Sequence, residues 1–559
     1  MSKEATTGEG VEISNVEQAL LLSIALLITV PILYVFRAYD HSALTSWQWV
    51  FTGPHVVRVI YLLIPALFGT YAISRLPVAG PYSIFYLIVL ALAFVLPLWA
   101  EPEAVLDGSR YFVQAKSLKE HGIFFFFKEW GTSIPAWTDL PLLSFLYGLL
   151  FSLVGEGRHV IQAFNSLLFA LTIALTFLIG KKLWDEDTGL QAGILLLGIP
   201  YLLMQVPLLL VDVPTMFFLT LAIYSLIQAI EKGGPAWTAA ASLSIAAALF
   251  TKYSVWPMLA VMPVIAAVHK GRDTKKTLTR TVAVLGFSLV LFACVIAAKA
   301  NFFLDQVRLL WTYQRPGLSR WHEGYVSAFL FQTHPLITGL ALYGLWRAKE
   351  KKEKRFIIAA WFLVITLVLR IDRIRYLIPI LPLFTLMASY GLNVIKDRKT
   401  RRFLCLSVAA TSFVIAWAAY LPFLSGTSSA NLEQAGRYLD DQRCASAEVY
   451  ALPQKSSSGS TIAAIPLLDY FTHAKIVSPQ DWTSLSEDNG RKTSSLRFTW
   501  EMKKPDFYGK QEEGTSCVVF ISDGILERLP RGLSSREVKR FDARSEIFKY
   551  QTIVTVLTK

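Results

Sequence analysis

The sequence predicts an α-helical polytopic membrane protein of about 13 transmembrane helices, followed by a C-terminal extracytoplasmic domain of mixed α/β type. Three observations predict it. Of the 559 residues, 54% are hydrophobic and 17% charged, where soluble domains carry about 25% charged residues. Apolar windows of roughly 16 to 22 residues, long enough to cross a hydrocarbon layer of about 30 Å, recur from Val16 to Pro422. Beyond Pro422 the chain turns rich in Ser, Thr, Asp, Glu and Lys and offers no spanning window. The chain therefore divides into a transmembrane domain, 1–422, with long outer loops at 100–139 and 301–326, and a soluble domain, 423–559.

The net charge of +13 would suit a nucleic-acid partner if it formed one patch. It is instead spread through short connections between spans. HKGRDTKKTLTR (269–280), RAKEKKEKR (347–355) and KDRKTRR (396–402) together hold 16 Lys or Arg, the positive-inside signature of cytoplasmic loops, so no nucleic acid is expected. Counting spans away from these loops places GKKLWDEDTG (180–189) and EKGG (231–234) inside as well. The loops 100–139 and 301–326, the stretch RIDRIRY (370–376) and the tail then fall outside, with the N-terminus inside. Parity leaves one misfit: the run 140–155 is too short to cross and must begin and end outside, which predicts a re-entrant or interfacial helix. The polar, acidic stretch ahead of the first apolar run argues against a cleavable signal peptide.

Both outer loops read as interfacial. Loop 100–139 contains the amphipathic GSRYFVQAKSLKEHG and then four consecutive phenylalanines, 124–127, the pattern of a helix lying along a membrane surface. Loop 301–326 carries Trp311, Tyr313, Trp321 and Tyr325 at headgroup level. The four cysteines have no metal-like spacing. Cys294 and Cys405 fall inside spans, while Cys444 and Cys517 could pair if the tail is extracytoplasmic. In the tail, 430–442 predicts a helix, and 447–452, 516–523 and 548–558 predict strands.

Parity gathers the chemistry-bearing residues on the outer side: Asp107 in the first long loop, Asp212 at the outer end of its span, Lys252 in LFTKYSVWP, and Arg370, Arg373 and Arg375. Carboxylates beside cations at this face suit transfer of a group from an anionic lipid, the carboxylate taking a proton and the cations stabilising a leaving phosphate. Each has a plainer reading. Asp212 could cap the helix that begins at Val213 or Pro214; Lys252 could snorkel; the arginines could pair with Asp372 and lipid phosphates; Asp107 alone would be a solvated loop residue. His322 and His334 have no evident partners. HExxH, paired CxxC, Walker A and GxSxG motifs are all absent from the sequence, leaving metal-hydrolase, nucleotidase and serine-hydrolase readings without support.

The blocks LDGSRYFVQAKSLKEHG (106–122), TDLPLLSFLYGLLFSLVGEG (138–157), LLLVDVPTMFFLTLAIY (208–224), ALFTKYSVWPML (248–259) and RIRYLIPILPLFTLMASYGL (373–392) occur in an order and spacing that resembles the GT-C superfamily of membrane glycosyltransferases. The resemblance is to the branch of protein O-mannosyltransferases and bacterial aminoarabinose (lipid A) transferases, and it spans roughly residues 100–392. It implies inverting transfer from a polyprenyl-phosphate sugar to a glycan, lipid or protein acceptor, at the bilayer's outer face. Carried over residue by residue, Asp107 would be the general base and Asp212 the second carboxylate. Lys252, with Arg370, Arg373 and Arg375, would meet the donor phosphate. Tyr111, Asp139, Tyr253 and Tyr376 would line the substrate.

Two positions depart from the family pattern. Gly108 stands where a Glu usually follows the Asp, and Asp139 stands where Lys or His usually precedes the prolines, so the donor's charge must be met elsewhere or the acceptor differs. The two additional N-terminal spans exceed the usual plan. No cofactor is expected, and the separated carboxylates leave a divalent metal open. The rival readings are a transporter or flippase of lipid-linked precursors, which should show half-repeats and mid-membrane charges, and a non-catalytic scaffold.

Overall fold

The structure, a computed structural model, describes residues 15–558 apart from 44, 77–81, 104, 271–272, 319–322, 428, 453–458, 483–495, 510–516, 527–536 and 543–551. Trp321, His322 and the first four residues of the 548–558 strand expectation lie outside the described residues. Eight described helices are long and apolar enough to cross a membrane: Val16–Val35, Gly53–Arg75, Ser83–Ala100, Arg158–Leu183, Asp212–Glu231, Thr274–Ala298, Ile374–Leu392 and Arg398–Ser425. Shorter apolar helices, Pro141–Val154, Pro235–Leu249, Val255–Val268 and Phe356–Val368, complete the helical body. The chain is a multi-pass membrane protein.

Local chemistry sets where these helices start and how closely they pack. Asp185, Asp273 and Asp397 each accept a backbone N–H from the first turn of the following helix, a cap worth about 1 kcal/mol. Gly344 and Gly391 let the helices Pro335–Lys351 and Leu381–Leu392 touch, since a Cβ at Gly391 would fall 2.1 Å from the Leu340 carbonyl oxygen. The five segments that parity counting puts on one side meet at one end of the bundle. There Lys182 reaches Glu231 at 2.6 Å, Arg280 donates to the Ile230 carbonyl, Arg355 donates to the Leu183 carbonyl, and Arg398 and Arg401 both pair with Asp187.

At the other end lies the helix Val105–Glu129, broken at Gly122, whose φ of 83° only glycine adopts without strain. Its first arm is packed; its second presents Phe124, 94% exposed, beside a fully buried Phe126. The 140–155 run forms the helix Pro141–Val154. The residues flanking it, Asp139 and Glu156, are both ion-paired to the Val105–Glu129 helix, through Arg110 and through Lys116 and Lys119.

The tail folds as a five-stranded sheet of order β2-β1-β3-β5-β4. β1 (Ser446–Ala451) runs parallel to β2 (Lys475–Val477) and β3 (Cys517–Ser522), while β5 (Ile553–Thr558) is antiparallel to β3 and β4 (Glu537–Asp542). The helix Ala430–Asp441 precedes it, and Cys444 and Cys517 are disulfide-bonded. One hydrophobic cluster joins Val449, Ile521 and Val556 of the sheet to Leu467, to Tyr111 and Phe112, and to Leu208–Val211. The tail is therefore packed directly over the segments that carry Asp107 and Asp212.

Candidate active site

Asp107 sits in the first turn of the helix Val105–Glu129, where the positive helix end favours an anion. Asp212 is the first residue of its helix, and it does not cap it: Val211 holds the cap position, without a side-chain bond. Both Asp212 oxygens are used otherwise. Lys252 Nζ donates to Oδ1 at 2.6 Å and Arg375 Nε donates to Oδ2 at 2.9 Å. The ionised carboxylate persists in its apolar run because two cations and the helix N-terminus compensate its desolvation.

Arg375 also reaches Asp107, donating from Nη1 to Oδ2 at 2.5 Å. Arg110 continues the sequence, 3.6 Å from Asp107 and 2.8 Å from Asp139. The result is an alternating row, Lys252, Asp212, Arg375, Asp107, Arg110, Asp139, of three cations and three carboxylates with no net charge. Lys252 lies over the Tyr376 ring at 4.7 Å, and Arg110 over the Tyr111 ring at 5.4 Å.

The carboxylates differ. Asp107 is the most open, with its side chain 22% exposed against 1% for Asp212 and 6% for Asp139. Burial disfavours the charge on Asp107, yet Arg375 and Arg110 outweigh it and hold its carboxyl well below the usual range. Asp139, with burial dominant and Arg110 as its cationic neighbour, is pushed above the ordinary carboxylate value. Burial and the charge on Asp139 raise the Tyr111 phenol, which is therefore neutral and available as a donor.

Several residues outside the sequence expectation hold this row in place. Glu103 Oε1 accepts the Leu209 N–H at 2.7 Å, and Asn165 and Tyr147 donate to the Leu208 and Leu210 carbonyls. The loop that delivers Asp212 is thus bolted to the segment that delivers Asp107. Glu103 also lies beside Gly108, where a Cβ would come 3.1 Å from its Cγ, so a carboxylate does stand next to that glycine. Gln114 donates to Asp139 at 2.9 Å and accepts from Ser144. Tyr253 donates to Gln306 Oε1 at 2.6 Å, and Gln306 Nε2 donates to the carbonyls of Trp137 and Asp139. Arg110 and Gln114 continue a polar stripe from Asp107 at helical spacing and were legible as such; Gln306 and Glu103 were not.

Arg373 is one step removed, 3.4 Å from Glu323 and over the Tyr376 ring. Arg370 is exposed and does not enter the row among the described residues. His334 caps the helix Pro335–Lys351 by accepting the Leu336 N–H. Among the described residues no group of three or more His, Cys, Asp or Glu is placed to hold a metal ion.

Residues 136–297 match a family described as dolichyl-phosphate-mannose-protein mannosyltransferase. Among solved structures, the chain is similar to ArnT from Cupriavidus metallidurans in the apo state: 13% identity, 85% of this chain and 97% of that one, TM-score 0.52. It is equally similar to the same protein bound to undecaprenyl phosphate, at 12% identity over 86% and 98%, TM-score 0.53. At this identity the likeness shows a shared fold: the chain has the fold of ArnT. No curated protein matches its sequence. The family match contains Asp139, Asp212, Lys252 and Tyr253, while Asp107 and Arg375 lie on either side of it.

Proposed function

We propose that the chain transfers a sugar from a polyprenyl-phosphate donor to an acceptor hydroxyl at the extracytoplasmic face, with inversion. The observation that carries this is the neutral row in which one guanidinium, Arg375, joins the two carboxylates Asp107 and Asp212. A neutral row has no spare cation for a phosphate. An arriving phosphate must displace a carboxylate, and Asp107, the most open of the three, is the one that yields. Arg375 and Lys252 then hold the phosphate, with Arg373 and Arg370 as an outer ring. Asp107, released from Arg375, recovers its basicity.

The displacement then follows. Asp107 takes the proton of the acceptor hydroxyl, whose oxygen forms a bond to the anomeric carbon as the bond from that carbon to the phosphate oxygen breaks. The electron pair leaves with the polyprenyl phosphate, held by the cations. Asp212 stays ionised beneath Arg375 and aims it. Support comes from the fold shared with a protein bound to undecaprenyl phosphate and from a family whose description names a dolichyl-phosphate sugar. The tail's disulfide suits an oxidising, extracytoplasmic location, with the basic loops and the N-terminus cytoplasmic.

The test is Asp107→Asn in the full chain, reconstituted in nanodiscs. Transfer falls about 10²- to 10⁴-fold, the usual size of a general-base effect, while undecaprenyl phosphate still raises the thermal midpoint. Turnover at the wild-type rate would remove Asp107 as the base.

A further inference from the structure

A cavity of about 280 Å³ opens beside Arg110, the residue next to Asp107 in the charged row, and neither Lys252 nor Arg375 lines it. Four segments build it. The Val105–Glu129 helix supplies Arg110; the turn before Pro141 supplies Trp137; and the tail supplies Phe498, Glu501 and Lys503, with Gln306 closing the wall between them. Arg110 belongs both to the charged row and to the cavity, and it lies over the Phe498 ring at 4.4 Å.

The lining is mixed in a particular way. Trp137 and Phe498 meet with ring centroids 6.2 Å apart, and Tyr313 packs edge-on against Trp137. Beside these rings stand a guanidinium, a carboxylate, an amide and an ammonium. Trp137 adopts a left-handed backbone, φ 42°, which a bulky L-residue seldom takes. Gln306 maintains it by binding the Trp137 carbonyl while accepting from Tyr253, the neighbour of Lys252. One amide thus joins the strained turn to Tyr253, the residue after Lys252.

We infer that this cavity receives the acceptor and that the acceptor group is a sugar ring bearing the attacked hydroxyl. The inference rests on the transferase reading above. In a single displacement the nucleophile enters from a different side than the leaving group, and the cavity meets the charged row at Arg110, one step beyond Asp107 from Arg375 and Lys252. A pyranose presents an apolar C–H face, which aromatic faces accept, and an equatorial edge of hydroxyls, which planar carboxylate and guanidinium groups pair with. The cavity's size suits a ring, and its lining by Phe498, Glu501 and Lys503 makes the C-terminal domain part of the acceptor site. The ring can belong to a glycan polymer or to a glycolipid headgroup.

The test compares cells expressing the wild-type chain, Phe498→Ala, Glu501→Gln or Arg375→Gln. Their envelopes are separated into solvent-extracted lipid, insoluble glycan and protein, and each fraction is examined by mass spectrometry. The expected wild-type mass increment lies on a sugar residue, the fraction telling glycolipid from polymer. It falls at least tenfold in Phe498→Ala and Glu501→Gln. Both purified variants keep the thermal stabilisation given by undecaprenyl phosphate, which shows that they are folded and donor-competent. An increment on protein serine or threonine, an increment on a lipid without sugar, or undiminished transfer by both variants would overturn the acceptor assignment and leave the transferase reading standing. No difference in any fraction between wild type and Arg375→Gln would remove both.

Discussion

The two ends of the bundle carry the same residue types in opposite circumstances. At the basic-loop end, Arg398 is 72% exposed and pairs with Asp187 in reach of water; such pairs contribute about 0 to 1 kcal/mol and weaken with salt. At the tail-covered end, Arg375 is 14% exposed and the carboxylate of Asp212 about 1%. Charge there is desolvated, each group depends on its neighbour, and removing one partner typically costs about 3 to 5 kcal/mol. The basic loops are expected to act by their number, through the positive-inside bias. The buried row works by its connectivity, which is why one arginine among many is expected to matter.

Arg375→Gln should therefore give the largest effect in the molecule. It leaves Asp107 and Asp212 without their shared cation, so transfer should become undetectable and the folded chain should lose about 3 to 5 kcal/mol. Arg375→Lys should restore charge but little activity, because a single ammonium cannot reproduce the separate Nε and Nη1 contacts to two carboxylates. Thermal unfolding in detergent, alongside transfer, measures both. A stable, active lysine variant would mean that the row is a charge balance only.

The next effect lies where the tail meets the Val105–Glu129 helix. Asp469 accepts from Lys116 at 2.6 Å and from Tyr508 at 2.8 Å, with Glu156 also on Lys116. Burial lifts the Asp469 carboxyl from 3.8 to about 6, against the pull of Lys116. A raised folded value means that the folded state binds the proton more tightly. The corresponding stability is complete below the ordinary carboxylate range and is lost as pH rises through the raised value. Lys116, itself raised above 10.5, stays charged throughout that window. Unfolding curves at pH 4.5 and 7 should thus converge for Asp469→Asn and separate for wild type. Parallel pH dependence in the two chains would place the proton uptake elsewhere.

The contrast also explains what the sequence could and could not disclose. Long spans are legible because length and apolarity are local, and β1, β3 and β5 are legible because they are apolar runs bounded by polar ones. β4, reading EVKRFD, is mostly exposed and lies at the sheet edge, and β2 has only three residues; neither has a pattern of its own. Asp212 stood out as a charge in an apolar run, while Asp107, Lys252 and Arg375 were gathered by span parity and by the order of the family-like blocks. Their order in a row was not legible, because it depends on separations of 40, 163 and 268 residues. Glu103 and Gln306 stayed hidden because each bonds backbone more than a hundred residues away. The Asp212 cap failed for a definite reason: two cations claim both its oxygens, and the cap position falls to Val211.

The smallest effect should come from the exposed end, and its smallness is informative. Arg398→Gln removes a cation from Asp187, but Asp187 keeps Arg401 at 3.2 Å, and the helix keeps its own cap, Asp397 to the Thr400 N–H at 2.8 Å. With water able to solvate the aspartate, the stability change should stay within about 1 kcal/mol and shrink further in high salt. Transfer should be unchanged, since nothing in the charged row touches this end. Any effect should instead fall on insertion, because the residue contributes one of five basic groups in its loop. A glycosylation-tag topology assay on Arg398→Gln, followed by neutralisation of all five, measures it. The single change should leave the orientation intact and the full neutralisation should produce a mixed population. Lost transfer in a correctly inserted Arg398→Gln chain would show that the two ends are coupled, and that the exposed charges carry more than topology.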